Sequence, residues 1–306
     1  MVKVSILINC HNSEKFIEEA INSALNQSFN DFEIICFDNK STDNTKKIIN
    51  SYDDRRLKYF YSKDYLKLGD ARNQAIKNCS GEFIAFLDSD DIWYPHKLTH
   101  QIPFFKDRSV GIVVSNTLIF HESSNKKKNM YPKNKIPKSG MVFRDLFMNY
   151  NISLETAVVR ASILKNLDHI FDPRFEIIEE YDLFCRIALN FKVVYLGEVL
   201  AKWRYHQNSY TWRYRNLLWQ ERLLMLNKFD SNIKNFNQHY YVEIKKFKIR
   251  TELEHALYLI QIGDYINARK IIKNQIFKDY KFMIIYFITL NKYLTKILLK
   301  SLNLLH

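Results

Sequence analysis

Apolar residues in the first 110 positions follow two alternating spacings. Four short apolar runs have the length and composition of buried strands, namely residues 4–8, 33–37, 57–61 and 83–87. The segments between them, 16–25, 42–51 and 68–78, carry helix-type patterns. Strands that alternate with helices of this length predict βαβ units, and hence an α/β fold with a mostly parallel sheet flanked by helices.

The fourth apolar run ends in a cluster of acids, Asp88, Asp90 and Asp91, with Ser89 among them. Ligands of open α/β folds bind at the carboxyl ends of the strands. Carboxylates this close repel each other unless a cation lies between them, and oxygen ligands suit Mg²⁺ or Mn²⁺. The cluster therefore predicts a site for a divalent cation and a phosphate. The alternative is a solvated acidic turn, which the βαβ pattern makes the weaker interpretation.

Several segments together resemble the family-2 glycosyltransferases, which have the GT-A fold. These segments are residues 4–8 with 12–14, 31–35, 38–43, 71–73, 81–91 and 93–95. Each is a weak signal alone, but their order and spacing over about 95 residues make the resemblance specific. A looser match covers residues 171–209, and nothing beyond residue 215 resembles the family.

The resemblance implies a Rossmann-like GT-A domain and an inverting reaction. A nucleotide-diphosphate sugar, expected to be a UDP-sugar, would donate its sugar to a hydroxyl of a glycan or lipid-linked acceptor in bacterial surface-polysaccharide or lipooligosaccharide synthesis. Residues 1–110 would bind the nucleotide-sugar, residues 111–210 the acceptor, and residues 211–306 would form a helical extension. Asp90 would bind Mn²⁺ or Mg²⁺ directly, and Asp88 would contact the metal or the ribose.

The resemblance also assigns donor contacts. The residues concerned are Asn9, His11, Asp38, Asn39, Arg72, Asp88, Ser89, Arg204 and His206. Asn39 stands where many members carry an Asp that accepts a hydrogen bond from uracil, and an amide oxygen can also accept one. Simpler interpretations remain: a turn residue for Asn39, a partly buried loop histidine for His11, and a surface ion pair for Arg72.

Inverting transfer needs a general base near the acceptor hydroxyl. Glu180 falls where the family usually has its catalytic Asp, and the adjacent Glu179 is the competing candidate. Neighbouring carboxylates tend to raise one pKa, which suits a base that works near neutral pH. The alternative is an acidic helix N-terminus that the helix dipole favours. Asp182 and Arg186, four residues apart, predict an ion pair within that helix.

Charge separates the two parts of the chain. The net charge of +13 arises almost entirely after residue 110, and residues 121–138 predict a polar loop around Lys126–Lys128. Four widely spaced cysteines indicate neither a zinc site nor a disulfide framework. The first strand starts at Val4 without a signal-peptide pattern, so a cytoplasmic protein is expected.

The C-terminal region has a helical pattern, with a bend near Gly263 in residues 252–276. Residues 280–306 mix lysines with apolar residues and contain no acid. This pattern predicts either a basic amphipathic helix at the cytoplasmic face of a membrane or a helix packed on the domain or on a second subunit in a homo-oligomer.

Two other classes of protein share parts of this pattern. A nucleotidyltransferase would have the same sheet and metal acids, but it should carry a glycine-rich phosphate loop, and residues 9–13 contain no glycine. A nucleic-acid-binding protein could use the positive charge, but only residues 204–215 interleave basic and aromatic residues, and weakly. Nucleic acid is therefore not an expected partner.

Overall fold

The computed structural model describes residues 2–122, 126–206, 210, 214–275, 280–291, 294–295 and 297.

Parallel strands form the N-terminal part of the sheet. The first four strands are β1 (Val4–Cys10), β2 (Phe32–Asp38), β3 (Leu57–Tyr61) and β4 (Phe83–Phe86). They lie in the order β3-β2-β1-β4 with every pairing parallel. The four predicted strands are confirmed.

Later strands extend this sheet and make it mixed. They are β5 (Ile92–Trp93), β6 (Val110–His121), β7 (Lys127–Asn129), β8 (Val158–Arg160) and β9 (Lys192–Tyr205). β8 pairs antiparallel with β4 and β6, whereas the long strands β6 and β9 run parallel to each other. β5 and β7 add antiparallel pairs to β9 and β6. Every antiparallel pair thus includes a strand that begins after residue 86, beyond the segment with the alternating pattern.

Helices cover the sheet. They are α1 (Ile17–Leu25), α2 (Thr45–Ile49), α3 (Leu68–Ile76), α4 (Lys97–Gln101), α5 (Phe143–Met148), α6 (Ala161–Leu164) and α7 (Glu179–Ala188). Ile6 and Ile8 of β1 belong to one buried core with Ala20 and Ile21 of α1. Fully burying an Ile side chain stabilises the fold by about 1.5–3 kcal/mol. This packing holds the carboxyl ends of β1 and β4 at one edge of the sheet.

The loop predicted for residues 121–138 is wrong in part. Lys127 and Lys128 belong to the short strand β7 and pair with Phe120 and Ile119 of β6. Strand pairing at a sheet edge uses backbone groups, so it needs no apolar pattern in the added strand. Exposed lysines on such a strand also discourage further strand addition. Residues 123–125 lie outside the described part of the chain.

Residues 213–306 form a second compact unit, separate from residues 1–212. Its helices are α8 (Leu218–Asn232), α9 (Phe236–His239), α10 (Tyr241–Gln261), α11 (Tyr265–Gln275) and α12 (Tyr280–Thr289). Gly263, with φ of 83°, makes the predicted bend between α10 and α11. Among the described residues, no helix is both long and apolar enough to cross a membrane. The proposed division of the first unit near residue 110 stays a prediction.

Candidate active site

The polar ends of β1, β2 and β4 lie at the same edge of the sheet. Cys10 at the end of β1 pairs with Asp38 at the end of β2, and Leu7 pairs with Phe86 of β4. Asn9 lies two residues beyond Leu7, and Asp88 two residues beyond Phe86. Asn9 and Asp88 therefore both lie at this edge of the sheet.

Arg72 of α3 joins this edge to the first turn of α7. Its Nη2 donates a hydrogen bond to Asp88 Oδ1 at 3.0 Å, and its Nη1 lies 3.4 Å from Glu180 Oε2 and bonds to Glu179 Oε1. Arg72 is only 3% exposed, so the alternative of a surface ion pair is wrong. The structure thus brings together one predicted metal ligand and both predicted base candidates around a single guanidinium.

Burial and mutual repulsion perturb the carboxylates around Arg72. Burial raises the pKa of Asp88, the Arg72 charge opposes the rise, and the Asp90 charge adds to it. Burial and then the Glu180 charge raise the pKa of Glu179 well above its usual value. Burial also raises the pKa of Glu180, against the opposing charge of Arg72. Of the two glutamates, only Glu180 has an accessible side chain, 23% exposed against 1% for Glu179.

Asp90 contacts the end of β9. The His206 Nε2 atom lies 2.8 Å from Asp90 Oδ2. Arg204 donates through Nε to the backbone oxygen of Asp90 at 2.9 Å and forms an ion pair with Glu19 at 3.0 Å. Its guanidinium also lies 4.3 Å from the centre of the Phe16 ring. Arg204 therefore supports the backbone at Asp90, while His206 contacts the Asp90 carboxylate. Residues 207–209 lie outside the described part of the chain.

Asp91 has a different role from the helix cap suggested by its position before Pro95. Its Oδ1 accepts a hydrogen bond from the backbone N–H of Arg204 at 2.8 Å, and the residue is buried. α4 begins only at Lys97 and has no side-chain cap. Asp91 therefore bonds to β9 and does not cap α4.

Hydrogen bonds within the protein already engage the side chains of Asp38 and Asn39. Asp38 accepts hydrogen bonds from the backbone of Ser41 and from the Tyr59 hydroxyl, each at 2.8 Å. The Asn39 amide donates to Leu66 O at 2.8 Å and accepts from Leu66 N at 2.9 Å. Both side chains therefore hold the loops at this edge of the sheet, because their hydrogen-bonding atoms are engaged there.

Asn9 presents the opposite case. It is 8% exposed, and neither its Oδ1 nor its Nδ2 has a hydrogen-bond partner. A buried amide without partners costs about 1–3 kcal/mol, so it marks a place where a ligand can supply the missing bonds. His11, in the loop after β1, lies 2.8 Å from Asn39 O through Nδ1. Ser89 approaches the same loop, with its hydroxyl 2.9 Å from that of Ser13.

Two residues of this region carry no sequence signal. The Tyr65 ring is half exposed and lies edge-on to His11, with ring centres 4.8 Å apart. Glu155 is buried, and its Oε1 has no hydrogen-bond partner. Burial raises the pKa of Glu155 to about 7. Tyr65 comes from a polar loop and Glu155 from a segment without a motif, so only the tertiary structure reveals them.

The residues at this edge fit a hard divalent cation. Asp88 and Asp90 supply carboxylate oxygens, and His206 an imidazole, which Mn²⁺ accepts alongside oxygen. The described residues contain no ready cluster of three or more His, Cys, Asp or Glu ligands. An ion with one or two protein carboxylates takes its other ligands from substrate phosphates and water. The donor set is therefore that of a shared protein–substrate site.

Sequence comparisons relate this chain to known glycosyltransferases. Residues 5–168 match the sequence profile of Glycosyl transferase family 2. The chain is 30% identical over 208 residues to the Escherichia coli enzyme WfgD, a UDP-Glc:alpha-D-GlcNAc-diphosphoundecaprenol beta-1,3-glucosyltransferase; the match covers 67% of this chain and 78% of WfgD.

Solved structures show the same architecture. Residues 1–349 of S. aureus TarS, in complex with UDP, align with a TM-score of 0.57 and 21% identity over 88% of each chain. The mannosyltransferase PcManGT from Pyrobaculum calidifontis, with GDP-Man and Mn²⁺, aligns with a TM-score of 0.66 and 14% identity over 96% of this chain and 82% of PcManGT. The predicted α/β GT-A fold is confirmed, and the chain belongs to glycosyltransferase family 2.

Proposed function

We propose that this glycosyltransferase moves a sugar from a UDP-sugar to a hydroxyl of a lipid-linked glycan acceptor, with inversion at the anomeric carbon. The observation that carries the proposal is the Arg72 cluster, in which one buried guanidinium bridges Asp88 at the strand end and Glu180 on α7. Donor-side and acceptor-side carboxylates thereby belong to one arrangement, as direct transfer between two substrates requires.

Glu180 is the general base in this proposal. It is the accessible glutamate of the pair, and it can take the proton from the attacking hydroxyl when the acceptor binds. Glu179 is buried beneath it and bonds to Arg72. Because burial and the Glu180 charge both favour the neutral form of Glu179, Glu179 serves as a positioning residue and leaves the proton-accepting role to its neighbour.

Asp90 and Asp88 would hold the divalent cation, with His206 beside Asp90. When bound, Mn²⁺ or Mg²⁺ would neutralise negative charge that develops on the leaving diphosphate. Arg72 keeps Asp88 oriented at 3.0 Å, and Arg204 fixes the backbone at Asp90. These protein contacts hold both carboxylates in place before the donor arrives, so little reorganisation is needed on binding.

Asn9 and His11 are the proposed contacts to the nucleoside. The unpartnered Asn9 amide offers one donor and one acceptor, which matches the N–H and C=O groups of uracil or the ribose hydroxyls. His11 and Tyr65 add ring surfaces on which a base can stack. Asp38 and Asn39 act here through loop geometry. The UDP complex of TarS and the UDP-Glc specificity in the name of WfgD support uridine as the base.

A lipid-linked acceptor is supported by the name of WfgD, which acts on a diphosphoundecaprenol-linked sugar. Such an acceptor places the reaction at the surface of a bacterial membrane, in surface-polysaccharide or lipooligosaccharide synthesis. Nucleotide-sugars are cytoplasmic metabolites, so the cytoplasmic face is the proposed location. The net charge of +13 suits approach to an anionic diphosphate and to an anionic membrane.

Hydrolysis of a panel of nucleotide-sugars tests this proposal. The purified chain is incubated with Mn²⁺ and UDP-, GDP- or dTDP-sugars, and release of the nucleoside diphosphate is measured. We expect slow release from one or more UDP-sugars, suppressed by EDTA and absent in an Asp90→Asn variant. Release from GDP- or dTDP-sugars alone would contradict the uridine assignment, and unchanged release in EDTA would contradict the metal site.

A further inference from the structure

Helix α12 is apolar on both of its faces. One face packs into the core of the second unit, where Phe282 and Ile285 are buried against residues that include Ala268 and Ile272 of α11. The other face exposes four large apolar side chains, which we call the α12 patch: Met283, Ile284, Phe287 and Leu290. The spacing of Met283, Ile284 and Phe287 keeps these three on one side of the helix, and Leu290 directly follows its last residue. A helix that is apolar all round is normally covered on both sides.

Positive charge surrounds this patch in the sequence. Residues 265–306 contain eight Lys or Arg and a single acid, Asp279. On α11, Ile266, Lys270 and Lys273 are all exposed and share one helical face, so apolar and basic side chains occur together there as well. The combination of exposed apolar surface and excess positive charge matches a partner that is apolar inside and anionic at its surface.

We propose that the α12 patch docks on the surface of an anionic lipid bilayer. Two copies of such a basic segment would repel each other, which disfavours a second chain as the covering partner. A helix lying in the interface plane buries its apolar face in the lipid while Lys and Arg meet the headgroups. This inference rests on the proposed function, in which the acceptor is linked to a membrane lipid. The docking itself can be measured without catalysis.

Point substitutions test the patch better than truncation. Deleting residues 280–306 would also remove Phe282 and Ile285 from the core, so the truncated chain would lose folding and docking together. The test variant is Ile284→Gln with Phe287→Gln, since Gln is a good helix former. The matched control is Tyr241→Gln with Val242→Gln on α10, because Tyr241 is 65% exposed and Val242 is 56% exposed. Both are made in the full chain.

Binding is measured by co-sedimentation with vesicles of phosphatidylglycerol and phosphatidylethanolamine, or of phosphatidylcholine alone. We expect the unaltered chain to bind the anionic vesicles, with affinity falling as salt rises, and not the neutral ones. The test variant should bind at least about tenfold more weakly, because it loses two large apolar groups that would enter the lipid. The control should stay within about twofold, as expected of ordinary surface substitutions. Denaturation curves should be alike for all three chains.

Several results would overturn the docking proposal. One is that the unaltered chain fails to sediment with anionic vesicles, and another is that the test and control variants bind equally. A third such result is a dimer in light scattering that the test variant converts to a monomer. Nucleotide-sugar hydrolysis on the same samples without vesicles keeps the two proposals apart. Vesicle binding by the unaltered chain without hydrolysis would count against the proposed function alone, and hydrolysis by the unaltered chain without vesicle binding would count against docking alone.

Discussion

The Arg72 guanidinium donates to Asp88 Oδ1 at 3.0 Å while it also contacts the glutamates at the start of α7. Four strands and three α-helices separate Asp88 from Glu179 in the sequence, yet one buried cation bonds to both. The side chain that the family resemblance assigns to donor binding thus also connects the proposed donor and acceptor sides of the site.

Replacing Arg72 should therefore affect both stability and turnover. Arg72→Met removes the buried cation that three carboxyl groups share, so it should lower the free energy of unfolding. Arg72→Lys restores the charge but not the forked geometry that reaches two carboxylates. We expect the Lys variant to fold nearly normally with kcat lowered by at least about tenfold and KM for the donor little changed. Urea denaturation and steady-state kinetics check this; normal kcat in Arg72→Lys would show that the bridge is not needed for chemistry.

Asp90→Asn should abolish transfer and Mn²⁺ binding in the presence of UDP, because it removes the metal-facing charge next to His206. Asp88→Asn should weaken Mn²⁺ binding less, since Arg72 already shares that carboxylate. Electron paramagnetic resonance of Mn²⁺ titrated into each protein with UDP reports binding independently of activity. Equal Mn²⁺ affinity in the Asp90 variant and the unaltered protein would remove Asp90 from the metal site.

Asn9→Leu should weaken UDP binding and stabilise the free protein. The substitution removes an amide whose two polar atoms have no partner in the structure, and relieving such a group gains about 1–3 kcal/mol. UDP loses hydrogen bonds that only the amide can make, so its Kd should rise by roughly tenfold or more. Calorimetric titration with UDP and thermal unfolding test the two effects. Unchanged UDP affinity would mean that Asn9 faces away from the nucleotide.

Glu33 should make stability depend on pH. Burial opposes its ionisation, but hydrogen bonds from Lys58, Ser5 and Ser80 outweigh burial and lower its pKa to about 2. A carboxyl with a lowered folded-state pKa stabilises the fold above its unfolded value of 4.5, and this contribution is lost as pH falls toward 2. Glu33→Gln should thus cost about 2–3 kcal/mol at pH 7 and progressively less below pH 4.5. Urea denaturation at pH 7 and pH 3.5 measures the difference; a cost that does not shrink at acid pH would be inconsistent with this linkage.

Local patterns predicted much of the parallel half of the fold. Strand-length apolar runs such as the one ending at Phe86 are local signals, and so is the ion pair of Asp182 with Arg186, observed at 2.8 Å. The strand β7 was missed because its pairing uses backbone atoms and its side chains are exposed lysines and an asparagine.

The roles of side chains at the carboxyl ends of β1 and β2 were harder to predict, because they depend on partners that are distant in the sequence. Asn39 bonds to Leu66 and Asp38 to Tyr59, residues brought close only by the tertiary fold. Asn9 and Asp38 lie near the ends of two strands that the sequence predicted, but which polar side chain remains without a partner could not be predicted. Glu155 was missed for the same reason, since no motif surrounds a carboxylate that only folding buries.

The proposed general base is Glu180, which Arg72 holds near Asp88. Turnover of Glu180→Gln and Glu179→Gln, measured with saturating donor and a lipid-linked acceptor, tests it most directly. We expect Glu180→Gln to lose roughly 10²–10⁴-fold in kcat with UDP affinity unchanged, because the lost group acts only in the chemical step. Glu179→Gln should keep substantially more turnover, since a neutral amide resembles the neutral acid there. An inactive Glu179→Gln beside an active Glu180→Gln would contradict the account.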